Sequence, residues 1–334
     1  MHQNHSRQGL SGTAIAFLIC ALGFASIMTG GALAQNSYPN KPVKIVVGMP
    51  AGSFTDLSAR LIGDSLQSEL KESFVVENRP GAATNIATQG VARAPGDGYT
   101  LLLSTNSNAM NVSLFKELPF DVRKDFKPVA MIASSAFILS LTPSLPVSNL
   151  KELIAYAKKH PGQLNFASTG VGTANHLAVE MLSKQAGIKV TTVFYKGSTA
   201  GIADVIAGRT HAMFAPASTA MPQIQAGKLK AIAVTSRTRT AMAPDIPAMT
   251  EAGLPGYEVA MWNGLFVPAG TPQDIVDRLG AAATKAVASK ALQSKIKMNG
   301  GDPIVMGPKE FTEYFNKDIE RWSDAIKAAG IKPQ

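Results

Sequence analysis

Short apolar runs alternate with segments of helical periodicity along most of the chain. The runs are mostly continuous, which is typical of strands in a sheet covered on both faces. They predict ten strands, at residues 43–47, 74–77, 100–104, 129–132, 137–141, 164–167, 190–194, 212–214, 231–234 and 258–266.

Between these runs, apolar side chains recur at intervals of three and four residues, the spacing of an amphipathic helix. The stripe is clearest at Leu57, Leu61, Ile62 and Leu66, and it recurs in residues 177–182 and 202–206. A final helix is predicted at 308–329. This alternation indicates an α/β protein built on a mainly parallel sheet.

Two connections rich in Pro and Ser, at residues 141–150 and 243–258, bracket the middle of the chain. They predict two lobes, one built from residues 35–136 plus 259–334 and the other from 137–258. The chain then crosses twice between the lobes, which is the arrangement of a hinge.

The N-terminus has the pattern of a secretory signal. Arg7 is followed by an apolar segment and by the small-residue exit Ala32-Leu33-Ala34. We therefore expect a signal peptide at residues 1–34 and a periplasmic mature protein, with an uncleaved membrane anchor as the alternative. No later stretch has the length of a transmembrane helix.

Composition narrows the function. The 334 residues are 46% hydrophobic and 16% charged, which indicates a packed core. The net charge of +9 is spread along the chain without a basic run, which argues against nucleic acid as a partner. The single cysteine, Cys20, lies in the predicted signal, so disulfides, zinc–thiolate sites and a cysteine nucleophile are excluded from the mature chain.

Four turns after predicted strands are rich in hydroxyls or glycine, at residues 50–56, 104–108, 168–176 and 195–199. Open α/β sheets bind ligands at the carboxyl ends of their strands, where helix N-termini offer free N–H groups to an anion. Ordinary helix capping explains any one of these turns. Four together favour a polar cleft.

Known catalytic and nucleotide motifs do not account for these turns. The segment "GVGTAN" has Asn175 in place of the third glycine of a dinucleotide loop, and neither a P-loop nor G-x-S-x-G occurs. Three roles stay open for His176: a general base, a hydrogen-bond donor to the ligand, or a packed residue. The segment 75–85 predicts a turn with a helix cap at Thr84 or Asn85, and a functional interpretation brings Asn85 to the cleft rim. Phe54 and Trp262 are either pocket walls or core.

Ordered stretches along the chain resemble the periplasmic receptors of tripartite tricarboxylate transporters, often called Bug-type receptors. The likeness runs from Tyr38 to near the C-terminus. It is carried by "YPNKPVKIVV", "VVENRPGAATNIA", "APGDGYTLLLST", "LPFDVRKDFKPVAMIA", "NLKELIAYAKKHPGQLNFASTGVGTANHLAVE", "IQAGKLKAIAVTS", "DIPAMTEAGLPGYEV" and "GLFVPAGTP".

The resemblance implies a two-lobed, type II-like periplasmic binding protein, a monomer that closes on a small carboxylate without catalysing a reaction and without a cofactor or metal. It also implies delivery to a membrane permease with a large and a small subunit. The expected ligand-binding residues are Ala51, Gly52, Ser53, Phe54, Thr55, Asp56, Asn85, Ser104, Thr105, Ser168, Thr169, Gly170, Thr173, His176, Tyr195 and Ala215. Asp56 is expected to order the first loop rather than to touch the anion.

The chain departs from the family pattern at three of these positions. Ala51 replaces a usual glycine, Phe54 adds bulk, and Ala215 stands where an aspartate is common. These departures argue against an amino-acid ligand and favour a larger, flatter carboxylate, such as an aromatic one; the expected ligand class is a di- or tricarboxylate or an aromatic carboxylate. The alternatives from other classes are a periplasmic hydrolase that uses His176 and a ligand-sensing subunit for a membrane signalling partner.

Overall fold

The computed structural model describes residues 1–2, 38–328 and 330–333. The chain divides into two units, Met1–Asn40 and Lys41–Gln334. Of the first unit only residues 1, 2 and 38–40 are described, so the predicted signal peptide lies almost wholly outside the described residues.

The described chain contains ten strands and ten α-helices, which alternate except at β8–β9 and at the two helices before β10. The strands are β1 (Val43–Val47), β2 (Phe74–Asn78), β3 (Thr100–Thr105), β4 (Phe126–Leu141), β5 (Asn165–Ser168), β6 (Thr191–Phe194), β7 (Ala212–Pro216), β8 (Lys230–Val234), β9 (Ala260–Pro268) and β10 (Asp302–Met306). The helices are α1 (Phe54–Leu70), α2 (Asn85–Ala92), α3 (Asn106–Leu114), α4 (Leu150–Lys159), α5 (Ala174–Ala186), α6 (Ser198–Ile206), α7 (Ala217–Gln225), α8 (Gln273–Ala288), α9 (Lys290–Met298) and α10 (Pro308–Ala328).

The strands join in the order β2-β1-β3-β9-β4-β7-β5-β6, with β8 and β10 also paired to β4. The outer groups are parallel, namely β1 with β2 and β3, and β5 with β6 and β7. Every pairing of the central strands β4 and β9 is antiparallel. The sheet is therefore mixed, and the prediction of a mainly parallel sheet is wrong at its centre.

Strand β4 is the element that joins the two halves of the sheet. Up to Ala136 it pairs with β9, and from Phe137 onward it pairs with β7 and β8. The apolar pattern predicted two separate strands here, because the small polar residues Ser134 and Ser135 interrupt it. The long strand continues through them, since both of its halves are buried by different partners.

Thr235 forms hydrogen bonds at the point where β4 changes its pairing partners. Its hydroxyl accepts a hydrogen bond from Phe137 N at 2.9 Å and donates to Val259 O at 2.5 Å. Its backbone N–H donates to Phe137 O, and its carbonyl accepts from Val259 N. One fully buried side chain therefore ties both predicted crossings of the chain together.

Helix α10 packs an aromatic cluster against β9. The rings of Phe311 and Phe315 lie edge-on to Trp262 at 5.5 and 5.8 Å between centroids. Trp262 is fully buried and donates its indole N–H to Asp318 Oδ2 at 2.7 Å. Trp262 is thus a core residue, and its anchoring fixes the segment of β9 whose alternate side chains face the cavity described below.

Candidate ligand-binding site

A cavity of about 420 Å³ opens where β1, β3, β5 and β7 end and the helices that follow them begin. Its walls come from the first loop (residues 49–55), the start and one face of α3, the second loop (169–175), the start of α6, and β9. This volume is within the usual range for a small-molecule site.

The polar lining consists of neutral groups. No Asp, Glu, Lys, Arg or His belongs to the cavity wall formed by the described residues. The hydroxyls are Ser53, Thr55, Thr105, Ser107, Thr169, Thr173 and Ser198, and the amides are Asn106, Asn111, Asn175 and Asn263. The apolar wall contains Met49, Phe54, Met110, Leu114, Phe115, Phe137, Val171 and Met261.

The first loop is ordered by Asp56. Its carboxylate accepts hydrogen bonds from Gly52 N at 2.8 Å, Asn78 Nδ2 at 2.9 Å and Arg60 Nη2 at 3.0 Å. Ser53 is the N-cap of α1 and accepts from Asp56 N. These contacts occupy N–H donors of the first loop that would otherwise be available to an anion. They also place a buried negative charge behind the loop.

The pKa of Asp56 lies below its usual value. Burial alone would raise it, but the hydrogen bonds from Arg60, Gly52 and Asn78 and the charge of Arg60 more than offset that effect. Asp56 therefore stays ionised at neutral pH, and it does so facing the loop backbone rather than the cavity.

The second loop, unlike the first, leaves the start of its helix without a side-chain cap. Thr173 is the N-cap of α5, yet its side chain accepts from no N–H of the first turn. Its hydroxyl donates instead toward Gly170 O at 2.7 Å and lies 2.6 Å from Asn175 Oδ1. Thr169 also donates to Asn175 Oδ1, at 2.9 Å. The amide oxygen of Asn175 is occupied in this way, which leaves its NH₂ group for the cavity.

Two more helices begin at the cavity without a side-chain cap. The N-cap of α6 is Gly197 and that of α7 is Pro216, and neither makes a capping hydrogen bond through a side chain. Ser198 and Pro216 line the cavity. Uncapped N-termini leave N–H donors and the positive end of the helix dipole free. With α5, three such ends converge on one side of the cavity.

A left-handed turn forms part of the opposite wall. Ala82, Ala83 and Thr84 all have positive φ, at 45°, 51° and 77°, a region that costs roughly 1–2 kcal/mol for each residue with a Cβ. Two asparagines of α3 hold the turn, because Asn111 Nδ2 donates to Ala83 O and Thr84 Oγ1 donates to Asn108 Oδ1, both at 2.7 Å.

The second loop contacts the end of α3 beside the cavity. A Cβ placed on Gly172 would lie 3.0 Å from a methyl group of Leu114, so the second loop and the end of α3 are in direct contact. Gly172 has φ +75°, which favours glycine. Phe54, which also lines the cavity, packs its ring on Gly301.

Six residues expected at the site line the cavity, namely Ser53, Phe54, Thr55, Thr105, Thr169 and Thr173. Others support the lining from behind: the buried Ser168 and Ser104 donate to Asn175 Oδ1 and Thr105 O, and Asn85 Oδ1 accepts from Asn111 Nδ2. Ala51 and Gly52 are exposed on the first loop, and Gly170 (φ +142°) shapes the second.

Three expected residues turn away from the cavity. His176 is buried; its Nδ1 accepts from Gly172 N at 3.1 Å, and its Nε2 lies 3.5 Å from Glu180. Tyr195 donates to Asp204 Oδ2 at 2.7 Å. Ala215 is fully buried in β7, opposite Ile138. None of the three belongs to the lining, so their direct contact with a ligand stays a prediction without support from this geometry.

Residues 104–108 were predicted to lie at the cleft, but the rest of the cavity-facing side of α3 was not. Ser107, Met110, Asn111 and Leu114 line the cavity at helical spacing, together with Phe115 at the end of the helix. The repeat in "SNAMNVSLF" carried this signal, but its mixture of polar and apolar residues did not match the apolar stripe of a core-facing helix. A helix that faces a ligand cavity shows such a mixture.

A mixed sheet with flanking helices and a cleft at the strand ends defines a two-lobed periplasmic binding protein. A sequence model of the protein family described as tripartite tricarboxylate transporter family receptor matches residues 58–331. The chain belongs to this family of receptors. Protein BugT of Bordetella pertussis is 31% identical over 320 residues, which span 95% of this chain and 97% of BugT.

Solved structures agree with this assignment. A protein of R. palustris with adipate is 34% identical, with a TM-score of 0.76 over 89% of this chain and 100% of that one. MatC from Rhodopseudomonas palustris with bound malate is 30% identical, with a TM-score of 0.70 over 86% and 100%. Both neighbours are thus solved with small dicarboxylates.

Two structural findings bear on the other expectations. Among the described helices, none combines the length and hydropathy needed to cross a bilayer. The described residues also contain no group of three or more His, Cys, Asp or Glu side chains arranged to hold a metal ion.

Proposed function

We propose that this receptor captures a small carboxylate in the cavity and delivers it to a membrane permease of one large and one small subunit. The observation that carries the proposal is the start of α5, where an uncapped N-terminus and the free NH₂ group of Asn175 meet a cavity without charged side chains. Helix N-termini of this kind bind anions.

The distribution of charge in the loops supports this orientation. The first loop carries the buried Asp56 and a capped helix, while the second loop has no acidic residue in the first turn of α5. The ligand's carboxylate therefore interacts with the second loop and the starts of α6 and α7. The adipate and malate of the solved neighbours are consistent with an acid at this site.

The contacts of His176 argue against the hydrolase alternative. A general base needs a free nitrogen within reach of the substrate. Here Nδ1 accepts from Gly172 N, Nε2 faces Glu180, and the ring lies outside the lining. His176 is better described as a residue that fixes the second loop.

The lobe boundaries and the export route belong to the same proposal. We assign residues 35–136 plus 259–334 to one lobe and 137–258 to the other, which is supported by the change of partner of β4 between Ala136 and Phe137. The signal at residues 1–34 would direct the receptor to the periplasm, where transport receptors of this family work.

Calorimetry with residues 35–334 tests the proposal on a panel of mono-, di- and tricarboxylates. We expect at least one acid to bind. Thr173→Ala and Asn175→Ala should weaken that binding about tenfold or more, since each disturbs donors to the carboxylate. Thr191→Ala is the matched control, because Thr191 is exposed on β6 outside the lining. Affinity that is unchanged in both variants would remove the second loop from the site.

A further inference from the structure

Phe54 lines the cavity, and its ring packs on a glycine that lies outside the lining. We infer that this glycine, Gly301, is a specificity-determining residue, because the space left by its missing Cβ lets the Phe54 ring stay back from the cavity. The size of the acid that fits then depends on Gly301 without any contact between the two. This inference rests on the proposed function and adds a residue through which the site selects among carboxylates.

The contact is closer than a side chain at position 301 would allow. A Cβ placed on Gly301 would lie 2.4 Å from Cζ and 2.7 Å from Cε2 of Phe54. Nonbonded carbon atoms are normally separated by about 3.5–4.0 Å, so an alanine at 301 would displace the ring by about 1 Å. The Phe54 ring therefore occupies the space that the first carbon of any other side chain would fill.

Backbone conformation does not account for this glycine. Gly300 has φ +85°, a region that favours glycine, whereas Gly301 has no such positive φ. An alanine at 301 would therefore meet a packing conflict without strain in its own backbone dihedrals. The two atoms closest to the added Cβ both belong to the Phe54 ring, so the conflict is with a residue of the cavity wall.

The main chain around Gly301 is held in place. Gly301 N donates to Ile296 O at 3.1 Å, at the end of α9, and Gly300 O accepts from the buried Ser135 Oγ at 3.1 Å. The added Cβ would also lie 3.1 Å from Ser134 O of the long strand β4. Because β4 bounds this side, the aromatic ring is the part that can shift.

The main chain of Phe54 is held as well, so its ring moves by rotation of the side chain. Ser53 caps α1 by accepting from Asp56 N at 3.2 Å, and Leu57 N donates to Ser53 O at 2.9 Å. Since Phe54 belongs to the cavity wall, a ring pushed off Gly301 takes volume from the cavity and excludes larger acids before smaller ones. An apolar pocket distinguishes ligands that differ by one methylene by about tenfold or more.

Crystal structures of residues 35–334 test the first step, by comparison of the wild type with Gly301→Ala. We expect the Phe54 ring to leave Gly301 and enter the cavity, while residues 299–302 keep their place. A ring that keeps its wild-type position, or that moves away from the cavity, would overturn the inference. This comparison needs no ligand, so its result does not depend on the proposed function.

Calorimetry with two pairs of acids tests the second step. Adipate and 4-ethylbenzoate are each larger by two carbon atoms than their partners, succinate and benzoate. We expect Gly301→Ala to weaken the larger acid of a pair about tenfold more than the smaller one. Phe54→Leu lacks the two ring atoms nearest to Gly301. It should favour the larger acid by itself, and it should abolish the effect of Gly301→Ala in the double variant.

Gly280→Ala is the matched control for overpacking away from the cavity. Its Cβ would lie 2.5 Å from Pro308 Cγ and 3.1 Å from Val129 O, and neither residue belongs to the lining. Gly280 is buried, as Gly301 is. Melting curves measure the loss of stability in both variants, and the control should leave the size preference unchanged.

The outcomes separate the inference from the proposed function. Equal weakening of both acids of a pair by Gly301→Ala, or an effect that persists in the Phe54→Leu background, would overturn the inference alone. If Gly301→Ala does not fold, Phe54→Leu should restore folding, and a double variant that stays unfolded would also overturn it. If none of the four acids binds, the crystal structures decide. If no carboxylate of the wider panel binds, the proposed function fails and the inference fails with it.

Discussion

Asp56 shows how one side chain can prepare a ligand loop without touching the ligand. Its carboxylate joins Gly52 N, Asn78 and Arg60, and its own N–H is capped by Ser53. The sequence "GSFTD" indicated this role through the N-cap pattern, because an acid in the first turn of a helix is stabilised by the dipole. The partner Asn78 was not foreseeable, since it comes from the neighbouring strand β2.

We expect Asp56→Asn to lower the free energy of unfolding at neutral pH by about 2 kcal/mol, the scale of hydrogen bonds to a charged group. The folded pKa of Asp56 is lowered, so its contribution is present above the unfolded pKa of about 3.9 and is lost as the pH falls through the folded value. Urea unfolding between pH 7 and pH 3 should show the gap between wild type and variant closing below about pH 4.

Asp64→Asn is the control for this titration, because Asp64 lies on the same helix and is exposed. Its stability should follow that of the wild type at every pH. A gap for Asp56→Asn that stays constant down to pH 3 would mean that the carboxylate is not held in its charged form by the loop.

Backbone conformation at single residues was beyond the reach of the sequence. Glycine at 172 signals a positive φ, but nothing about Ala82 and Ala83 does, since alanine strongly prefers the right-handed region. The left-handed turn at these residues exists because Asn108 and Asn111 of α3 hold it. Such tertiary support appears only once the elements are packed.

At the scale of elements, the apolar runs predicted nine of the ten strands, although β4 was predicted as two separate strands. Strands of this kind are predictable because a buried strand has a strong local signal. Strand β10 was missed, since "DPIVM" contains a proline, is only partly buried and pairs with β4 alone. The antiparallel centre was missed for a different reason: the direction of pairing depends on partners far apart in the chain.

Thr235 connects two segments that are far apart in the chain, because its hydroxyl bonds to the backbone of both Phe137 and Val259. Thr235→Val removes the hydroxyl while keeping the shape, and leaves Phe137 N without its partner. We expect the free energy of unfolding to fall by about 1–3 kcal/mol, the cost of a buried unsatisfied group. Denaturant unfolding measures it. Thr312→Val, exposed on α10, should change stability far less. Equal effects of the two substitutions would show that the hydroxyl of Thr235 does not fasten the crossing.

For the molecule as a whole, the ends of strands in both halves of the sheet supply the cavity, and β4 runs from one half into the other. A ligand in the cavity would contact residues from both halves of the sheet, which Thr235 connects through its hydrogen bonds. The full-length resemblance made this architecture predictable, while single motifs did not. Which side chains face the ligand depended on packing, as the displaced His176 and the unforeseen α3 face show.

Leu114 and Gly172 belong to the two different lobes that we propose, and they are in contact beside the cavity. Gly172→Ala places a methyl group 3.0 Å from Leu114 and strains a residue at φ +75°. Gly187→Ala, at φ +61° at the end of the helix α5 that follows Gly172, carries similar backbone strain with no neighbouring atom within 4 Å.

Both variants should lose about 1 kcal/mol of stability, but only Gly172→Ala should oppose the closed form. We expect it alone to weaken the tightest-binding acid of the panel by about fivefold or more, the equivalent of 1 kcal/mol, and to reduce the ligand-induced compaction seen by small-angle scattering. Equal affinities in the two variants would show that closure does not depend on this contact.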